Sequence, residues 1–156
     1  MKIIETRNPA LMARLGRMMQ EKHRTLYPTF FKPYNQAAVQ TYFEEIFANP
    51  NEVVYLWQDQ QEEVAAYLWL GIETVPETVY RYGYKRLYIH HIAIMPEYQG
   101  KGLSKTLLSF ADDYAKQHQI DAVELHYWPD NSIAKHTYEK FGYVPYQEIA
   151  QKKLHD

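Results

Sequence analysis

The 156-residue chain contains no cysteine, which excludes disulfide bridges, thiolate metal sites and a cysteine nucleophile. It has no run of about 18 apolar residues, so no membrane-spanning helix is expected. Its first residues, Met1-Lys2-Ile3-Ile4-Glu5, lack the apolar core and small-residue cleavage site of a secretion signal. A cytoplasmic protein is the expectation. Positive charge is missing from one long stretch: between Pro33 and Tyr80 there is no Lys or Arg, while Glu44, Glu45, Glu52, Asp59, Glu62, Glu63, Glu73 and Glu77 all fall there. From Arg81 to Lys105 the bias reverses, with Arg81, Lys85, Arg86, Lys101 and Lys105 against Glu97 alone. Such runs read either as two solvated faces or as an acidic half near a cationic partner and a basic half near an anionic one. The overall charge of −2 argues against a nucleic-acid-binding module.

Hydrophobic residues at 46% and charged residues at 23% describe a globular protein, and the length fits a single domain over residues 1–156. Lys2 to Thr6 reads as a strand, and Asn8-Pro9 as a helix start with Asn as cap and Pro at the first turn. Arg24 to Asn35, with Pro28 and Pro33, reads as a loop or broken helix, and a second helix is expected from about Gln36 to Ala48. Strands follow at Glu52 to Gln58 and Val64 to Ile72, joined by the polar turn Asp59 to Glu63. Leu87 to Ile94 is a strand, Gly102 to Gln117 a helix, Ala122 to Tyr127 a strand and Asn131 to Lys140 a helix stopped by Gly142. Tyr143 to Lys153 is expected to close the chain as one or two strands. The order describes an α/β protein with a mixed sheet.

Two segments carry chemistry. In the first, a strand runs through Gln99-Gly100-Lys101-Gly102-Leu103-Ser104 into a helix. Glycines there let the backbone turn tightly and approach a ligand, and the helix start offers unpaired N–H groups to an anion such as phosphate. The spacing is neither that of a P-loop nor that of the dinucleotide-binding fingerprint. In the second, Asn131 and Tyr138 are seven residues apart, on one helix face two turns apart, with small Ala134 between them. Tyr138 alone could equally be a core aromatic with its hydroxyl satisfied.

Together these segments resemble the GCN5-related N-acetyltransferase (GNAT) superfamily. Its loop pattern, Arg/Gln-x-x-Gly-x-Gly/Ala, is matched from Gln99 to Ser104 except that Ser104 replaces the final Gly or Ala. Its second signature, Asn-x-x-Ala-x-x-x-Tyr-x-x-x-Gly-Phe/Tyr, is matched fully from Asn131 to Tyr143. The motifs cover about Leu87 to Tyr143. The resemblance implies a central mixed sheet of six to seven strands flanked by about four helices. It also implies acetyl-CoA as the acyl donor, with no metal. Ile92, Ala93 and Ile94 would pair by backbone with the pantetheine arm, Gln99, Gly100, Lys101, Gly102, Leu103 and Ser104 would hold the pyrophosphate, and Asn131 would hydrogen-bond the arm. Tyr138 would sit near the sulfur as acid to the leaving thiolate.

For the base, strand alternation places Tyr88, His90, Ile92 and Ile94 on one face and His91 and Ala93 on the other. His90 stands where some amine acetyltransferases of the family carry a working histidine, and Tyr88 where others carry a carboxylate. His90 is thus the candidate base or a satisfied histidine lining the cleft, His91 a structural residue and Glu73 a reserve base. The acceptor region would comprise Glu21 to Phe47 and Ile72 to Tyr84, whose acids and aromatics suit a cationic amine, either a small molecule or a peptide amine. The alternative is a non-catalytic acyl-CoA-binding sensor or interaction module. The resemblance also makes a homodimer an expectation.

Overall fold

The computed structural model describes residues 1–155. The contacts divide the chain into two compact units, Met1–Leu125 and a second one beginning at His126.

In the first unit, strand β1 (Lys2–Thr6) leads to helices α1 (Pro9–Leu15), α2 (Arg17–Leu26) and α3 (Gln36–Phe47). The Asn8 side chain accepts from the Leu11 N–H and the Asn35 side chain from the Ala38 N–H, each satisfying a donor that a helix start leaves open. Helices α1 and α2 meet at Gly16, which keeps right-handed helical dihedrals, so they follow one another with a single residue between. Strands β2 (Glu52–Gln58), β3 (Val64–Val75) and β4 (Tyr84–Ile94) follow. A 3₁₀ turn at Pro96–Tyr98, helix α4 (Leu103–Gln117) and the short strand β5 (Val123–Leu125) complete the unit.

The sheet has five strands in the order β1-β2-β3-β4-β5, antiparallel except for the parallel β4–β5 pair. The expected six to seven strands are not formed among the described residues. The difference lies in Tyr143 to Lys153, which carries no strand. Its apolar residues Val144, Tyr146 and Ile149 stay exposed and Pro145 interrupts it, so it has neither a buried face nor an unbroken row of donors for a ladder. Strand β3 also runs three residues past the expected Ile72, to Val75, because Glu73, Thr74 and Val75 keep partners in Arg86, Lys85 and Tyr84.

Helices α1 and α3 cover one sheet face, where Met12 and Phe43 pack with Val54, Leu56, Tyr67, Trp69 and Ala93. Helix α4 covers the other face: Phe110 meets Tyr55 and Trp57, the residues that alternate with Val54 and Leu56 along β2. The second unit holds helix α5 (Ser132–Lys140). No helix of the described residues is long and apolar enough to cross a membrane.

Candidate active site

A β-bulge decides which side chains face α1 and α3. Trp69 pairs with His91 and Leu70 with Ile89, so His90 is an extra residue on β4. This corrects the expected alternation. His90 contacts Trp69 and Tyr88 in front of it and His91 contacts Trp69 and Tyr67, so both histidines face α1 and α3 with Tyr88. Ala93 lies in that same core, and Ile92 and Ile94, opposite Leu68 and Ala66, take the α4 face. Inserting one residue shifts the period-two pattern by one, which uniform alternation does not foresee.

His90 is held by aromatic walls and two acids. Its ring stacks on Trp69 with centroids 4.3 Å apart, and Tyr88 meets it edge-on at 4.8 Å. Its Nε2 is buried and lacks a well-aligned hydrogen bond; Glu52 Oε2 lies 3.2 Å away and Glu73 Oε2 3.8 Å away. Glu52 is the one buried charged side chain among the described residues, and its Oε2 accepts a 2.8 Å hydrogen bond from Trp69 Nε1. Burial alone would raise the Glu52 carboxyl, but His90 and the Trp69 hydrogen bond outweigh it and hold the group below the usual carboxylate range. Gly71 sits opposite both Glu52 and Tyr88. A Cβ there would stand 2.7 Å from His90 Nε2 and 2.9 Å from each Glu52 carboxylate oxygen, so only glycine leaves room for the two to approach.

The acids continue toward β5. Arg86 donates to Glu73 Oε1 at 2.7 Å and to Glu124 Oε1 at 2.8 Å, and Tyr84 donates to Glu124 Oε2 at 2.6 Å. Arg86 also lies 4.8 Å from the Tyr88 ring centroid. Arg86, from the basic run, is therefore committed to two carboxylates. His91 is a different kind of group. Its Nδ1 lies 3.3 Å from the Tyr67 hydroxyl, and burial, with smaller contributions from His90 and His23, pushes its imidazole down to about 4. Its neutral form is the favoured one.

Strands β4 and β5 pair only from Leu87 to Ile89 on β4. Ile92, Ala93 and Ile94 lie beyond that pairing, bonded to β3 on their other side. The chain then passes through the 3₁₀ turn into the glycine loop. Gly100 and Gly102 adopt φ of +72° and +80°, and a Cβ on either would touch nothing within 4 Å. They are needed for the backbone turn rather than for space. Gly102 caps α4 without a side-chain bond, so the Leu103 and Ser104 end of the helix keeps its N–H groups uncapped by a side chain. Gln99 Nε2 donates to the Ile94 carbonyl at 3.1 Å, tying the loop back to the strand end. Lys101 reaches over the Tyr98 ring, whose hydroxyl donates to Asp59 in the β2–β3 turn.

In the second unit, Asn131 Oδ1 accepts from the Ala134 N–H at 3.2 Å and so caps α5. Tyr138 is flanked by Tyr127 and Tyr143, at 5.6 and 5.8 Å between ring centroids. Burial pushes its hydroxyl up to about 12. Past the end of helix α5 and its cap Phe141, Gly142 takes φ +89°, with the Tyr143 N–H bonded to the Tyr138 carbonyl and the Gly142 N–H to that of Glu139. That paired closure explains why the signature needs glycine at this point.

Sequence reasoning placed His90, the glycine loop, Asn131 and Tyr138 on the elements where the structure has them. It missed Glu52 as a partner of His90, and Gly71. The available signal was a carboxylate opening the apolar strand Glu-Val-Val-Tyr-Leu-Trp, opposite the only glycine of Val64–Val75.

The model of the acetyltransferase (GNAT) family matches residues 18–143, spanning most of both units. The chain belongs to this family. It is 37% identical over 59 residues to mycothiol acetyltransferase of Tsukamurella paurometabola, covering 38% of this chain and 20% of that protein. It is 28% identical over 100 residues to the uncharacterized N-acetyltransferase YycN of Bacillus subtilis, covering 64% of this chain and 62% of that one. The chain thus spans less than two thirds of the length of either relative. Among solved structures, a tetramutant of the BH1408 protein of Bacillus halodurans superposes with a TM-score of 0.89 at 22% identity, covering 99% of this chain and 100% of that one. A predicted acetyltransferase of Clostridium acetobutylicum, solved with acetyl-CoA, superposes with a TM-score of 0.70 at 17% identity, covering 98% and 96%. These likenesses show the fold.

Proposed function

We propose that the protein transfers an acetyl group from acetyl-CoA directly to the primary amine of a small cationic acceptor. The observation that carries this reading is the path of β4: its end, Ile92 to Ile94, runs beyond the β5 pairing and leads into the left-handed Gly100–Gly102 loop at the start of α4. Backbone groups of Ile92, Ala93 and Ile94 offer a ladder to the two amide groups of the pantetheine arm. The N–H groups from Gly100 to Ser104, with Gln99 and Lys101, suit its pyrophosphate. Asn131, whose oxygen caps α5, has its amide nitrogen left for the arm. A family match across 18–143 and a solved relative carrying acetyl-CoA support the donor.

His90 takes a proton from the acceptor ammonium, and the freed amine forms its bond to the thioester carbonyl carbon. A strand N–H near Ile92 stabilises the developing oxyanion. As the carbon–sulfur bond breaks, Tyr138 donates to the sulfur, the nitrogen sheds its second proton to restore the Tyr138 hydroxyl, and His90 later releases its own proton to solvent. The products are an N-acetyl amine and free CoA thiol. Held together, the reactants gain the advantage of a nearly unimolecular step. Burial suits Tyr138 to this role, since a hydroxyl raised to about 12 keeps its proton at neutral pH. Glu52 and Glu73, with Trp69, Tyr88 and the half-exposed Tyr42, give the acceptor side an acidic and aromatic character suited to an ammonium group.

The test is acetyl-CoA-dependent release of free thiol in the presence of polyamines, aminoglycosides or peptides with free amines. Thiol release that requires one of these amines is the expected result. Acetyl transfer confined to hydroxyl or thiol acceptors would contradict the amine reading.

A further inference from the structure

We propose that Glu52 is a positioning residue for His90: a buried carboxylate that fixes the imidazole as the Nε2–H tautomer and so leaves Nδ1 as the nitrogen that accepts the acceptor's proton. The proposal rests on the reading of His90 as the base.

Several observations meet at this pair. Glu52 is buried at the first residue of β2, where an unpaired carboxylate would be costly. Its Oε2 already accepts from Trp69 Nε1 and faces His90 Nε2 at 3.2 Å. A lone pair on Nε2 would point at an anionic oxygen, whereas a proton there would be shared with it; the arrangement therefore selects Nε2–H. The ring cannot turn away easily, because Trp69 stacks on it and Tyr88 closes its edge. The bulge leaves His90 as the unpaired residue of β4 beside the Trp69–His91 pair, and Gly71 leaves the gap that a Cβ would fill. Three features of three different strands thus converge on one contact that the sheet itself does not require. The imperfect alignment at Nε2 fits a catalytic hydrogen bond that tightens when substrate binds.

The charged and titratable groups around His90 are Glu52 from β2, Glu73 from β3, and Arg86, Tyr88 and His91 from β4. Tyr42 of α3 approaches through Trp69. Glu73 is the rival partner, but it is 3.8 Å from Nε2 and is engaged by two Arg86 donors. Among the described residues Glu52 has no arginine partner, and it is the nearer of the two.

The test reads the His90 tautomer by nitrogen NMR of imidazole-labelled protein, together with steady-state kinetics. In the wild-type protein, neutral His90 should carry its proton on Nε2. Glu73→Gln should keep that tautomer, and Glu52→Gln should lose it, with kcat falling about 10²-fold and the KM for acetyl-CoA unchanged. Glu52→Asp should recover part of the rate. An Nδ1–H tautomer in the wild-type protein would overturn the proposal without recourse to any variant. So would a Glu52→Gln protein that folds and keeps full kcat. If the wild-type protein acetylates no amine, the proposed function falls, while the wild-type tautomer still decides the Glu52–His90 contact.

Discussion

Tyr138 and His91 show how burial acts in opposite ways on two side chains. The Tyr138 hydroxyl is raised to about 12, so it stays a donor across the working range. Tyr138→Phe keeps the ring among Tyr127 and Tyr143 while removing the donor. Single-turnover acetyl transfer should slow by about 10²-fold with little change in thermal stability; an unchanged rate would remove the acid role. His91 is depressed from 6.5 to about 4, so the unfolded chain takes up a proton before the folded one does. The stability that its neutral form contributes is complete above pH 6.5 and is lost as pH falls toward 4. Urea unfolding between pH 4.5 and 7 should therefore show a slope approaching ~1.4 kcal/mol per pH unit from this residue, absent in His91→Gln. At this scale the motif residues were readable because each answers to a local rule: Gly142 to the helix stop, Asn131 to the cap. Glu52 was not, because its partner depends on a strand pairing and on a bulge that leave no local mark.

Strands β3 and β4 carry the site, and their register decides its geometry. The doubled histidine at His90-His91 is where the bulge falls, and the apolar residues on either side alternate in the same way whether or not a bulge is present. Sequence alternation therefore put Ile92 on the wrong face even though the strand itself was found. Gly71→Ala tests this element directly. Its Cβ would press on both His90 Nε2 and the Glu52 carboxylate, and such overpacking costs about 1–3 kcal/mol. Denaturant unfolding should show that loss, and kcat should fall with it; a fully stable and fully active variant would mean that the pair is not tightly held. The loop before α4 behaves differently. Gly102→Ala would meet no neighbour but would strain a left-handed backbone, at a cost of roughly 1–2 kcal/mol. The measurable consequence should be a raised KM for acetyl-CoA, since the loop must reshape before its N–H groups converge.

Across the whole molecule, the family match joins the two motifs into one reading. The element order, the mixed sheet and the loop-to-helix transition were legible because hydrophobic period, caps and glycines are local signals. The C-terminal segment was not, because whether an extended stretch becomes a strand depends on partner contacts that carry no local signal, and Tyr143 to Lys153 forms no ladder among the described residues. The central claim is that the end of β4 and the glycine loop form a site for acetyl-CoA. Calorimetric titration of the protein with acetyl-CoA tests it most directly, ahead of any search for the acceptor. The account predicts one site per chain with a dissociation constant of about 1 to 100 μM, or roughly −8 to −5.5 kcal/mol, weakened in Gly102→Ala. Absence of heat and of saturation at millimolar acetyl-CoA would contradict it.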